Sequence, residues 1–564
     1  MKQQHYRFAI TPLSPVHMGT DDDYEPTGYV IDGGALFEFD AIAALQALPE
    51  NERKRLDQIL SGKPTDRMLR EVQGFFYNNR ERLIVHSRRQ VRVNETIEKF
   101  YQSRVGRVAQ HEHGGRKVQN RLEIERTAWN PVSGEPILPG SGLKGAIRTA
   151  LLNEVNDGRR PKRNERNRDL QNRLFGFRSG KFELDPMRLI RLSDAPLREG
   201  GQLSTEVFFA LNRKKRPVEK NGALVQSRAE QQGLYQLLEC LPPLHPRAFS
   251  GTLEILDPNG IGRPGYTTPE KRFTLSDIAR ACNRFYRPIF DAELQLLRRR
   301  GYVDDAWASR MERLLERLAP TLDADRAFLL RAGRHSGAES VTLKGVRSIK
   351  IMKGKREKPD YLDSAKTLWL AGHERQAQRG LLPFGWLLVE IDPDGNGPWQ
   401  ETASPEGDRK WLDGVRQRIA SLRRAHEQEE HERLERQRRL QAEAAARQAA
   451  EEAARRQAEE EQKRKQAEFD ALPEWEKAHR RLDEALQRLP ETLTKNRYPE
   501  LVGLLNNYQK EAETWPAEAR QEAARRIEAA YDRYGWGTPG QPAKKKRKQE
   551  QKKREQLARL RGEG

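Results

Sequence analysis

Cysteine is nearly missing from this chain: among 564 residues only Cys240 and Cys282 occur, and they lie far apart. That excludes a cysteine-rich zinc site and argues against a disulfide scaffold of the secreted kind. No apolar run reaches the roughly 18 residues that a membrane-crossing helix needs. The opening Met1-Lys2-Gln3-Gln4-His5-Tyr6 leads into a strand pattern and does not read as a signal peptide. The expectation is a soluble, cytoplasmic protein without a membrane partner. No Gly-Lys-Ser/Thr sequence of the Walker type occurs, and nothing in the chain implies a cofactor. His111 and His113 share a polar loop without cysteine or further acidic partners, so no metal site is expected there.

Positive charge is in excess. Lys and Arg number 103 against 83 acidic residues, a formal net charge of +20. Such a balance calls for an acidic partner, most commonly a phosphate backbone, with an acidic protein or anionic membrane as rivals. The length allows about three or four domains and a large core.

The most informative stretch is Ile137-Leu138-Pro139-Gly140-Ser141-Gly142-Leu143-Lys144-Gly145-Ala146-Ile147-Arg148-Thr149-Ala150-Leu151-Leu152. Pro139 ends the preceding element, Gly140 and Gly142 open φ values closed to other residues, and Ser141 suits a helix N-cap. Leu143, Ala146, Ile147, Ala150 and Leu151 recur at helical spacing and give one apolar face. Lys144 and Arg148 sit four apart on another face. A helix start with free N–H groups and two cations fits a phosphate group, of a nucleotide or of a nucleic acid. The same residues also fit an ordinary turn with solvated cations.

Along the chain, Tyr6 to Leu13 alternates like a strand, and Asp21-Asp22-Asp23 reads as an acidic loop. Tyr29 to Asp40 carries two apolar runs around Asp32-Gly33-Gly34, a hairpin signal. Residues 41–84 read as helical, and 156–173 as a basic flexible loop. Leu174-Phe175-Gly176-Phe177, Leu189 to Ala195, Val207 to Leu211 and Ala248 to Ile255 read as strands, and 274–318 as helices. Short strands mixed with helices give an α+β class. Residues 405–470 read as a long charged helix, nearly all Glu, Gln, Arg, Lys and Ala over 412–468 and without a sustained heptad seam. A small helical unit follows at 474–536, and the basic stretch 537–564, with Lys544-Lys545-Lys546-Arg547-Lys548, is expected to be a disordered phosphate-binding tail.

The stretch 137–152 resembles the signature of the RAMP proteins of CRISPR systems, Pro-Gly-Ser-Ser-Leu-Lys-Gly followed by an Ile-Arg helix, with Gly142 in place of the second serine. Thr11-Pro12-Leu13-Ser14-Pro15-Val16-His17-Met18-Gly19-Thr20, the tyrosine before the hairpin and Leu36-Phe37-Glu38-Phe39-Asp40 resemble the opening of the fifth subunit of type III-A (Csm) complexes. Leu330 to Thr342 and Gly380-Leu381-Leu382-Pro383-Phe384-Gly385-Trp386 add a third and fourth match.

The resemblance implies a ferredoxin-like (RRM-like) core in two copies, expected at 1–200 and 201–400. It implies a non-catalytic subunit that binds crRNA, caps the guide filament near the 3′ end, and supports guide maturation and antiviral defence. Its partners would be other type III CRISPR effector subunits, backbone RAMP subunits among them, and trimming nucleases. Residues from about 405 onward have no counterpart in it. The RNA-binding candidates are Gly140, Ser141, Gly142, Lys144 and Arg148, together with Arg331, Arg334, His335, Lys344 and Arg347.

The alternative is a RAMP endoribonuclease cutting precursor crRNA, with His17 or His335 as general base and Lys144 as charge stabiliser. The basic-Gly-aromatic signature of base-stacking RRM sheets is absent, so sheet aromatics are not expected to read RNA.

Overall fold

The computed structural model describes residues 2–63, 65–107, 111–112, 116–117, 122–178, 180–199, 201–220, 223–225, 234–257, 267–352, 357–395, 399 and 406–563. His113 lies outside these. The described chain forms two compact units, residues 1–429 and 430–564.

The first unit holds two main sheets. Strands β1 (Lys2–Pro12), β2 (Gly19–Tyr24), β3 (Tyr29–Asp32) and β4 (Ala35–Phe39) come first, followed by helices α1 (Ala41–Ala47), α2 (Glu50–Leu60), α3 (Asp66–Asn78) and α4 (Arg80–Ile84). The hairpin read at Asp32-Gly33-Gly34 is present as β3 and β4. The acidic triplet is not a loop: Asp21 to Asp23 lie in β2, where Asp22 meets Arg126 at 3.3 Å. Next come β5 (Ser87–Arg92), α5 (Glu95–Arg104), β6 (Ile124–Thr127), α6 (Gly140–Asn156), α7 (Asn167–Phe175), β7 (Ile190–Leu192), β8 (Glu206–Lys214), β9 (Tyr235–Cys240) and β10 (Phe249–Asp257). The remainder is α8 (Leu275–Arg300), α9 (Asp305–Asp323), β11 (Ala327–Arg331), β12 (Thr367–Gly372), β13 (Trp386–Ile391) and the start of α10 (Glu406–Asp470).

One sheet runs β7-β10-β1-β13-β11, every neighbouring pair antiparallel. In chain order this is β1-α6-β7-β10-α8-β11-β13, the ferredoxin-like alternation with β13 inserted between β1 and β11. Leu143 and Ile147 of α6 close over Phe8, Ile10, Leu253, Phe328, Leu330, Val389 and Ile391, around one small apolar gap. The Tyr286 hydroxyl of α8 donates to the Ala146 carbonyl of α6 at 3.0 Å, which fixes the two helices side by side. The second sheet runs β2-β6-β9-β8-β5-β4-β3, with β12 also paired to β8, and so follows a different order. Because β1 pairs with residues 249–257 and 387–391, a boundary at 200/201 would cut through a sheet.

Two local readings change. Leu174-Phe175-Gly176-Phe177 is not a strand: α7 buries Leu170, Leu174 and Phe175 and ends at Gly176 in the left-handed conformation. The first turns of α10 are not solvated either. Trp411, Val415, Ile419 and Leu422 pack on a cluster holding Val30, Phe37, Phe39, Phe75 and Leu83. Residues 427–468 are exposed throughout, with i,i+4 pairs such as Arg447–Glu451 at 3.2 Å and Lys465–Glu461 at 2.8 Å.

The second unit has its own core. Helices α11 (Glu474–Gln487), α12 (Tyr498–Ala512), α13 (Ala517–Tyr534) and α14 (Ala543–Arg561) bury Leu482, Leu501, Leu505, Ile527, Tyr531, Leu557 and Leu560 together. The stretch expected to be a disordered tail is therefore largely helix α14, seated on the unit by Leu557 and Leu560. No described helix is long and apolar enough to cross a membrane.

Candidate nucleic-acid interface

The four stretches singled out in the sequence meet at the end of β1. Leu13 N–H donates to the Trp386 carbonyl at 2.9 Å, Gly385 N–H to the Pro15 carbonyl at 2.9 Å, and Arg334 N–H to the His17 carbonyl at 2.9 Å. The glycine motif joins them from the other side, because a Cβ on Gly142 would come within 2.5 Å of Met18 Cε. One on Gly140 would come within 2.6 Å of the Ser193 carbonyl oxygen. Both glycines therefore serve close approach; neither has positive φ.

The helix start departs from the expected anion cradle. Pro139, not Ser141, is the N-cap, and no side chain caps from within the turn. The Gly140 N–H instead donates to the Asp194 carboxylate at 2.7 Å. The positive end of α6 thus already holds an anion belonging to the chain. Ser141 is exposed and Gly142 is partly buried at the same turn.

The predicted cations divide into engaged and open groups. Arg148 pairs with Asp185 at 2.8 Å and lies over the Phe175 ring at 5.0 Å. Arg331 is buried, pairs with Glu293 at 2.9 Å, donates to the Phe384 carbonyl and lies over Trp386 at 4.7 Å. The Arg347 guanidinium donates to the Glu339 carbonyl at 3.0 Å, and burial draws its pKa down. Arg334 pairs with Glu125, yet 42% of its side chain stays exposed. Lys144 is half-buried, and burial lowers its pKa, partly offset by Asp185. Lys344 is exposed, with its main chain tied to α6: its N–H donates to Asn153 Oδ1 at 2.9 Å and its carbonyl accepts from Asn156 Nδ2 at 3.1 Å.

Asn156 also donates to the Arg159 carbonyl at 2.9 Å, so one buried amide fixes two loops beside each other. Arg159, Arg160, Lys162 and Arg163 are exposed on the first of these, and Lys344 on the second. Among the described residues, none of Arg159, Arg160, Arg163 and Lys344 forms an ion pair. The segment read as merely basic and flexible presents open cations at the C-terminal end of α6, its main chain tied at Arg159, beside Lys344, by Asn156. Lone charges in an apparently unstructured segment give no sign that a distant asparagine holds them in place.

The histidines sit deeper. His17 is fully buried, its Nδ1 lies 2.7 Å from the Glu239 carbonyl, and its Nε2 has no hydrogen-bond partner, with a Glu125 carboxylate oxygen 3.9 Å away. Burial dominates and lowers its pKa, so it is neutral at pH 7. His335 stacks on Trp369 with ring centroids 4.6 Å apart, and its Nε2 meets Gln236 Oε1 at 2.8 Å. Burial first, then Arg334, pushes its pKa down to about 3.

Beneath them lies a residue that pattern reading passed over. Glu239 is fully buried and accepts from Arg89 at 2.5 Å, Thr205 Oγ1 at 2.6 Å, Tyr24 hydroxyl at 3.0 Å and Thr127 N–H at 3.1 Å. A lone acid among the apolar residues of Tyr235-Gln236-Leu237-Leu238-Glu239-Cys240 was the available signal.

The first unit is thus an α+β core of ferredoxin-like alternation, in which a glycine-rich turn leads into α6 and open cations stand at the far end of that helix. A scan of protein-family models matches the RAMP superfamily over residues 9–303, and the chain belongs to that superfamily. Curated proteins offer no match. Among solved structures, a chain of a type III-A Csm–crRNA–target RNA ternary complex overlaps 69% of this chain and all of its own length, at 16% identity and a TM-score of 0.40. T. onnurineus Csm5 overlaps 68% of this chain and 99% of its own, at 15% identity and a TM-score of 0.37.

Proposed function

We propose that this chain is a non-catalytic RNA-binding subunit of a type III CRISPR ribonucleoprotein, capping the guide filament near the crRNA 3′ end. Its partners are crRNA and neighbouring effector subunits, including backbone RAMP subunits. Membership of the RAMP superfamily supports the class, and the sequence resemblance at 11–20, 36–40, 330–342 and 380–386 supports the particular subunit.

The observation that carries RNA binding is the group of exposed cations Arg159, Arg160, Lys162, Arg163 and Lys344 on two loops whose main chains Asn156 holds beside each other. Point charges on exposed loops contact phosphates and position a strand without reading its bases. The buried, neutral His17 and the stacked His335 are poorly placed to take a proton from an RNA 2′-hydroxyl, which favours the non-catalytic reading over the nuclease one.

Two measurements test this. Co-purification from the native host should yield short RNAs that share a repeat-derived tag; RNA without such a tag would overturn the assignment. Incubating the purified protein with precursor crRNA should give no cleavage, and a product lost in His17→Ala or His335→Ala would establish the nuclease reading instead.

A further inference from the structure

The second unit carries a feature outside that reading. Its segment 474–536 has eleven basic and twelve acidic residues, close to neutral, whereas α14 has ten basic and two acidic. The positive charge of the helical unit is thus concentrated on one helix. Lys544, Lys545, Arg547, Lys548 and Lys552 are exposed, and among the described residues none forms an ion pair. Lys544, Lys548 and Lys552 recur every four residues and share one face.

The helix is held in place from its other side. Leu557 and Leu560 are buried in the core of the unit. The Lys553 ammonium lies over the Tyr531 ring at 3.8 Å and donates to the Tyr498 hydroxyl at 3.0 Å and the Trp536 carbonyl at 2.9 Å. Burial draws its pKa down to about 8, in keeping with a lysine used for packing.

We infer that the outward face of α14 is a second, sequence-independent RNA-binding surface that grips the phosphate backbone. A membrane-surface helix inserts an apolar face, and here that face is already spent on the core. A protein interface centres on apolar and aromatic anchors. No large hydrophobic residue described beyond Leu440 is exposed. What remains is a row of point charges with no exposed aromatic platform, which suits phosphates and leaves bases unread.

The test uses the full chain and a single-stranded RNA of random sequence. Substituting Lys544, Lys545, Arg547, Lys548 and Lys552 together by Gln should lower the slope of log affinity against log salt by about 3.5, from about 0.7 per phosphate contact. The same five positions as Lys/Arg exchanges should keep the slope, and thermal melting should not move, since all five side chains are exposed.

An unchanged slope overturns the inference, as does a loss of binding to phosphatidylserine vesicles without any change toward RNA. Failure of the first-unit reading is separable from failure of this one. If Arg159→Gln/Arg160→Gln/Lys344→Gln leaves affinity intact while the five-site variant lowers the slope, only the first-unit site falls. The reverse pattern removes the α14 surface and keeps the other.

Discussion

The Asp194 carboxylate accepts the Gly140 N–H at 2.7 Å, so the glycine-rich helix start is closed by an acid supplied 54 residues further on. Asp194→Ala removes a capping partner and should destabilise the first unit by about 1 kcal/mol, read as a lower denaturant midpoint at unchanged slope. RNA affinity should stay the same. A marked rise in affinity would mean that Asp194 had been competing with RNA for the helix end.

Gly140→Ala and Gly142→Ala separate two kinds of crowding. At Gly140 the added methyl meets main-chain oxygens of Leu192 and Ser193, which cannot move alone, and a cost of about 1–3 kcal/mol is expected. At Gly142 it meets the flexible tip of Met18, so the loss should be smaller. Equal losses by urea unfolding would contradict this account.

Glu239→Ala strands Arg89, whose side chain is only 6% exposed. Removing one member of a buried pair typically costs about 3–5 kcal/mol. Arg89→Met with Glu239→Gln should recover much of that loss, and a double-mutant cycle would measure the coupling.

His335 has its folded pKa depressed to about 3 from an unfolded value of 6.5. Between these values the unfolded chain binds the extra proton, so stability rises with pH. The contribution is fully present above pH 6.5 and is lost as pH falls toward 3. His335→Asn tolerates the positive φ of 60° at this position and does not titrate there. The stability difference between the original protein and this variant should therefore shrink as pH drops from 6.5 to 4. A constant difference across that range would show that the histidine is not held neutral.

Truncation should respect the docked start of α10. Asp408, 4% exposed, pairs with Arg92 at 2.7 Å and His245 at 2.6 Å, and Val415 is buried. A chain ending at residue 429 should fold and bind crRNA, whereas one ending at 405 should melt earlier and expose the cluster around Phe37 and Phe75 to a hydrophobic dye.

Local pattern carried much of this structure. The Asp32-Gly33-Gly34 hairpin and the apolar face of α6 depend on neighbours within a few residues, and both were legible. Asp194 acts across a separation of 54 residues and Glu239 across separations of 34 to 215, which the sheet order decides and periodicity does not encode. Helix α14 reads as a disordered tail in the sequence because its buried side is marked only near one end, by Leu557 and Leu560, under a run of charge. Arg148 and Arg331 looked like ligand-facing cations, and the acids that occupy them, Asp185 and Glu293, lie in other elements.

The central place of β1 governs how this protein is made. Strand β1 is translated before both of its partners, residues 249–257 and 387–391, so its sheet cannot close until translation has passed Ile391. At about 5–20 residues per second, Phe8 and Ile10 wait roughly 20 to 80 seconds for the second partner. Until residues 249–257 are made both edges of β1 are unpaired, and for the rest of that interval the edge that receives β13 stays open, an exposure of the kind that favours aggregation over folding.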